Sequence, residues 1–343
     1  MVIEIRPKMS RESVIWHWLS LLTTTMLVLA SATPINDANP TLSLNPPRLS
    51  NTLINLPRLP GFEMDFTFDQ SKRLRPFEVY QTAIQLMYET VQRGWDERVH
   101  MMVAEQIEGY DVIMLFLNHQ SPTESYQLQI GHCVAALYRA IAVMTDGVIF
   151  CQLRCHLSVF EKPIGALSIA PLKDSLATTV GGGENFTTAV SKSNLTLETD
   201  VATTATLGAN SGTVRDAEDA RFSITYHFMG KSITSKEVSM VVLEAMASTA
   251  PFKKDAECEE LDVVSNTGGS LIIIESLRSS RKRFTYGWAT KALRILYQHI
   301  IAPAKRWGDV WLEIKYDNVV FGELRMLRAT AATRNGTDAR EEE

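Results

Sequence analysis

Apolar and polar positions follow two periods along this chain, and the periods come in the same order in two separate stretches. In the first, Met64, Phe66 and Phe68 alternate with Asp65, Thr67 and Asp69, the period-two pattern of a half-buried strand. Phe77, Tyr80, Ile84, Met87 and Val91 then share one face at helical spacing. Pro76 suits the first turn of that helix, where its missing N–H costs nothing, and Gly94 supplies a stop. Apolar runs at 99–107 and 112–117, split by Glu108-Gly109-Tyr110-Asp111, predict a hairpin. Ile130, Val134, Leu137, Ile141 and Met144 predict a second helix. Strands at 148–159 and 164–170 close the series, turning near Glu161-Lys162-Pro163.

The second stretch restates the order. Ile224, Tyr226 and Phe228 stand 160 positions after Met64, Phe66 and Phe68. Thr234-Ser235-Lys236-Glu237 reads as a capping box, in which hydroxyl and carboxylate satisfy N–H groups that a helix start leaves open. Val238, Val241, Val242 and Met246 give the buried stripe. Runs at 261–264 and 271–274 around Asn266-Thr267-Gly268-Gly269 rebuild the hairpin. Leu293, Leu296 and Ile300 mark the second helix. Strands at 310–316 and 319–326, joined at Asp317-Asn318, end the copy. Gly131 and Gly287 are 156 apart, Gly165 and Gly322 are 157 apart, so one residue is gained between them. The copies diverge chemically where Glu275 and Arg294 are matched with Phe116 and Tyr138.

Each copy therefore reads β-α-β-β-α-β-β. The fold class expected is α+β: tandem pseudo-duplicated two-layer sandwiches at 61–172 and 219–329, each with ferredoxin-like order plus an extra strand that extends the sheet through a hairpin. A unit of about 110 residues buries roughly two-thirds of its unfolded surface, enough for a core of its own. The halves are expected to pack together about a pseudo-two-fold axis; the alternative is one sheet continuous across both.

The flanks read differently. Residues 1–32 place Arg6, Lys8 and Arg11 before an apolar run from Trp18 to Leu29, with Ala30-Ser31-Ala32 as a small-x-small cleavage pattern, the signature of a signal peptide. The alternative is a signal anchor that keeps the chain on the membrane as a single-pass protein. No later apolar run is long enough to span a bilayer. Residues 33–60, with six prolines, form an extended leader. Residues 173–218 combine Gly181-Gly182-Gly183 with many Ser and Thr and few large apolar side chains, a linker unable to fold alone. Sequons make Asn185 and Asn194 N-glycosylation candidates there, and Asn335 a third in the acidic tail 330–343, expected to be disordered.

Composition narrows the chemistry. A formal net charge of −5 argues against a general nucleic-acid binder, and no nucleic-acid partner is expected. Four cysteines are too few for a disulfide framework and lack zinc spacing. Cys151 and Cys155 share a predicted strand, about 13 Å apart, too far to bond each other. One of them is a disulfide candidate with Cys133; the other reading holds all four, Cys258 included, as buried thiols. Cys155-His156 would point to opposite faces. His100, His119, His132, His227 and His299 show no metal-ligand spacing, and neither a metallopeptidase motif nor a nucleophile elbow occurs. No catalytic residue, cofactor or metal site is assigned. Arg278, Arg281, Lys282 and Arg283 form a basic knot: a solvated helix entrance, a site for an anionic partner, or a dibasic processing site ahead of Phe284. Trp307, Trp311 and Tyr316 suit either the core or an exposed sugar platform.

Arg75-Pro76-Phe77-Glu78-Val79-Tyr80, with Ala83-Ile84 and Met87-Tyr88, and the closing Tyr316-Asp317-Asn318-Val319-Val320-Phe321-Gly322 resemble uncharacterised secreted proteins of filamentous fungi. The likeness spans 60–170 and 220–328 and implies export, with no catalytic assignment. Two functions stay open. One is a secreted, glycosylated, non-enzymatic binding or structural module with an unknown partner; the other is an extracellular, hydrolase-like enzyme with its site between the repeats. An open cleft with convergent charges would favour the enzyme, and a filled seam the binder.

Overall fold

The computed structural model describes residues 56–99, 103–119, 126–173, 190–193, 210–265, 269–277 and 282–329. The first half runs β1 (Phe62–Arg73), α1 (Pro76–Val91), β2 (Val103–Ile107), β3 (Val112–Asn118), α2 (Ile130–Asp146), β4 (Cys151–Val159) and β5 (Lys162–Pro171). Two short strands follow, β6 (Val190–Ser193) and β7 (Ser211–Arg215), both inside the stretch read as linker. The second half runs β8 (Phe222–Ser232), α3 (Ser235–Thr249), β9 (Glu260–Val264), β10 (Ser270–Ser276), α4 (Tyr286–Ile295), β11 (Gly308–Tyr316) and β12 (Val319–Arg328).

The strands form two separate sheets, ordered β1-β4-β5-β3-β2-β6 and β7-β8-β11-β12-β10-β9, so no sheet is shared across the halves. Every neighbouring pair is antiparallel except β2 and β6, which run parallel. The pairing corrects the expected ferredoxin-like order. There β1 was to lie between β4 and β3, with the last strand outside β4; instead β5 holds that central place and β1 is displaced to the far side of β4, as β12 and β8 are about β11. Local turns explain the β4–β5 and β11–β12 pairings. Phe160 and Glu161 both have positive φ, as do Asp317 and Asn318, the two-residue geometry whose twist folds a strand straight back on its predecessor. One side of β4 already holds β1, so β5 takes the other and meets β3.

The register of these pairs also re-matches one position. Asn118 lies opposite Gly165 and Ser276 opposite Gly322, so the counterpart of Phe116 is Ile274, both fully buried. Glu275 instead matches Leu117, one residue away and on the other face of the strand. The two glycines allow close approach. A Cβ at Gly165 would collide with the Leu117 carbonyl oxygen, and one at Gly322 would lie 2.7 Å from the Phe284 ring.

Helices cover one face of each sheet, and the two helical layers pack on each other, chiefly α1 on α3. The result is four layers, sheet, helices, helices, sheet, around one hydrophobic core. This arrangement explains why α1 buries twelve of its sixteen residues, far more than one amphipathic face. Tyr80, Ile84, Met87 and Val91 are buried as the pattern predicts, whereas Phe77 is 38% exposed, lying edge-on to Tyr110. Thr234 caps α3 as expected: its Oγ1 accepts from the Glu237 N–H at 3.2 Å, and its own N–H donates to Glu237 Oε2 at 3.0 Å. An analogous cap on α2 carried no sequence signal, with the Gln129 N–H donating to His132 Nδ1 at 3.2 Å.

The second helices differ. α2 is continuous, but α4 passes into a π-helical segment, Leu296–Ile301, and a last turn, Ala302–Ala304. Gly131 and Gly287 are 156 apart, whereas Leu157 and Ile314, opposite the matched Met64 and Ile224, are 157 apart. The gained residue thus falls in the interval that holds the π segment, the usual outcome of a one-residue insertion into a helix.

Candidate functional site

The seam between the halves is where an enzyme of this architecture would place its site. α3 and α4 run antiparallel there, fixed by Thr249 Oγ1 to Thr290 Oγ1 at 3.0 Å and Ser239 Oγ to Tyr297 hydroxyl at 2.6 Å. From α4 and its π segment, side chains reach across to α1. Arg294 sets its guanidinium 4.1 Å over the Tyr88 ring, and Gln298 Nε2 donates to Gln85 Oε1 at 3.1 Å. Asp216, in the turn after β7, pairs with Lys291 and lies 3.9 Å from Arg294. Its carboxylate is only 4% exposed, so the two cations supply the charge that burial would otherwise make costly. Glu218 stands 3.8 Å from Lys291 at the solvent rim. Lys236 and Asp146, at 3.5 Å, bridge the halves at another margin.

Electrostatics here are those of a packed interior. Burial raises the Tyr88 hydroxyl and the Glu89 carboxyl above their ordinary values, with Arg294 opposing both shifts. Burial, then Arg294, pushes His299 down to about 4. Among the described residues, Thr82 Oγ1, Ser248 Oγ, Arg294 Nε and Gln298 Oε1 are buried without a hydrogen-bond partner. Each such atom costs about 1–3 kcal/mol, so this polar seam is held by the apolar packing around it. The charges of the seam meet one another and aromatic rings.

Other candidates resolve individually. Cys133, Cys151, Cys155 and Cys258 are all buried and free. Burial pushes Cys155 and Cys258 up to about 12 and raises Cys133 and Cys151, so none is a ready thiolate nucleophile. Trp307 packs on Tyr297 with ring centroids 6.0 Å apart, and Tyr316 on Trp288 and Phe321, both half-buried against the margin of the core. Trp311 faces outward on β11. Its ring stacks on His227 at 5.4 Å and its indole N–H donates to Glu323 at 3.2 Å. Lys282 places its ammonium 2.7 Å from the Tyr316 ring centre and 4.8 Å from that of Trp288. Arg283 is exposed, but Phe284 is fully buried, so a protease cutting between them would have to unfold the strand ends around it. Arg278 and Arg281 lie outside the described residues. Beside Lys282 and Arg283 lies an open depression of about 510 Å³ walled by Glu257, Glu259, Glu260 and Glu275.

Among the described residues, no group of three or more His, Cys, Asp or Glu is placed to hold a metal ion. No helix among them is long and apolar enough to cross a membrane. The signal segment, the sequons at Asn185, Asn194 and Asn335 and the acidic tail lie outside the described residues. Asp216, Lys291 and Gln298 were not singled out by sequence. Lys291 and Arg294, three apart, were readable as a basic helix face, but Asp216 comes from a stretch whose composition marks only a linker. No protein-family model matches this chain, and no curated protein or solved structure does.

Proposed function

We propose that the protein is a secreted, glycosylated, non-enzymatic binding or structural module built from two copies of one α+β unit. The pairing within the seam carries this reading: where an enzyme would leave charged groups free for a substrate, Asp216 holds Lys291 and lies beside Arg294, whose guanidinium stacks on Tyr88. The shared element order, the matched two-residue turns and the single residue gained at the π segment support descent from one copied unit. The likeness to secreted fungal proteins, the signal pattern and the sequons support export and glycosylation.

The test is a turnover screen on exported full-length protein with chromogenic esters, glycosides and phosphates and with casein. Wild type should give no rate above blank. A rate that disappears in both Asp216→Asn and Arg294→Met, with folding retained by circular dichroism, would establish the hydrolase instead. N-terminal sequencing of the same material should begin after Ala32, and glycosidase treatment should lower its mass; a retained residue 1–32 segment would replace export with anchoring.

A further inference from the structure

The two sheets share one order over five strands, yet they are closed at opposite ends. β7 covers the outer edge of β8, whereas the matched edge of β1 has no neighbouring strand among the described residues. Burial records the difference. Phe222 and Ile224 are fully buried and Tyr226 is 7% exposed. Their counterparts 160 positions earlier, Phe62, Met64 and Phe66, are only partly buried, although all are large and apolar. Four apolar side chains, Phe68 included, thus line a strand whose outward N–H and C=O groups have no ladder partner among the described residues.

The turns by which the chain enters the two strands share two backbone hydrogen bonds. The Phe222 N–H donates to Asp219 C=O at 2.8 Å, and the Phe62 N–H to Leu59 C=O at 3.2 Å. The Asp317 N–H donates to Arg221 C=O at 2.9 Å, and the matching Phe160 N–H to Gly61 C=O at 2.8 Å. In the second half this turn is preceded directly by β7, whose Val214 lies opposite Ile224 and is 1% exposed. In the first half the described chain begins at Leu56. The five residues just before it, Asn51, Thr52, Leu53, Ile54 and Asn55, stand at the same spacing from Phe62 as β7 does from Phe222. Ile54 occupies the position of Val214.

We propose that the outer edge of β1 is a strand-acceptor site and that its occupant is the chain's own segment 51–55. The segment runs antiparallel to β1, with Ile54 opposite Met64 and Leu53 opposite Asp65, as Val214 is opposite Ile224 and Thr213 opposite Thr225. Such an occupant satisfies the open edge and covers Met64 and Phe66, which otherwise form a template for unwanted pairing.

The experiment uses the full chain carrying Leu53→Cys with Asp65→Cys. Directly opposed strand residues bring their Cβ atoms to about 4.5–5.5 Å, close to disulfide range. The four native thiols are buried, so mild oxidation should fall on the new pair. The expected result is an intramolecular disulfide in a monomer, by non-reducing gel and intact mass. Thr52→Cys with Asp65→Cys, on opposite faces, should stay reduced. Should the double variant not fold, hydrogen exchange of wild type gives the same answer: amides at 51–55 should exchange as slowly as those of Ser211–Arg215. Ile54→Asp should then speed exchange in β1 at least tenfold and leave β7 and β8 unchanged. Exchange at 51–55 at the rate of an unstructured peptide overturns the proposal. A disulfide between two chains also overturns it, because the edge would then take a second copy.

Discussion

α2 and α4 hold the same place in the two halves, and they solve burial differently. α2 is an uninterrupted helix that buries the neutral Tyr138. α4 puts Arg294 at the matched position, adds Lys291 one turn earlier, and then takes a π segment that carries Gln298 to Gln85. The frame tolerates either because the sheets and hairpins beneath are the same. The difference shows that the charges of the seam were placed by the second half, which also needed Asp216 from outside the repeat to make them stable.

Removing Asp216 breaks that compensation most directly. Asp216→Ala leaves buried Arg294 without its carboxylate and half-buried Lys291 with only the exposed Glu218, and urea unfolding should show a loss of about 3 kcal/mol. A loss under 1 kcal/mol would mean that the cations reach solvent and the seam is looser than described.

The comparison sharpens with pH, because each half holds one shielded imidazole at its second helix, His132 buried and His299 half-buried. His132 and His299 are both held at about 4, against an ordinary 6.5, chiefly by burial. Between these values the unfolded chain binds protons that the folded one refuses. The contribution is therefore complete above about pH 6.5 and is lost as the pH falls towards 4. Each histidine should cost about 2 kcal/mol between pH 7 and pH 5. Denaturation at both values, in wild type and His132→Gln, measures it; the variant should lose about half of the slope.

The smallest effect separates the first helices. Thr234→Ala removes the hydroxyl that caps α3 and should cost about 1 kcal/mol in thermal or urea unfolding. α1 has no side-chain cap to lose, relying on Pro76 in its first turn.

What could be read beforehand follows the range of the forces. Element order was legible because each element is encoded by its own periodicity, and the Thr234 cap because four residues contain it. Sheet order was not legible: whether β1 or β5 meets β3 is a pairing between distant strands that neither periodicity nor the hairpin turn encodes. The seam escaped for a different reason. The face that α1 turns away from its sheet carries Thr82 and Gln85, which look solvated in a hydrophobic pattern and are buried only because another helix layer covers them. The π segment left a single trace, the shift from 156 to 157 between matched positions, which locates an insertion without giving its geometry.

Four layers have a consequence for any attempt to divide the protein. The helices of each half have a sheet beneath them and, above, only the other half's helices. A polypeptide ending at Pro171 would leave α1 and α2 roofless, with Ile84 and Met87 one layer from water. Such a fragment should self-associate to recover a ceiling, so the smallest autonomous version of this architecture is the tandem pair.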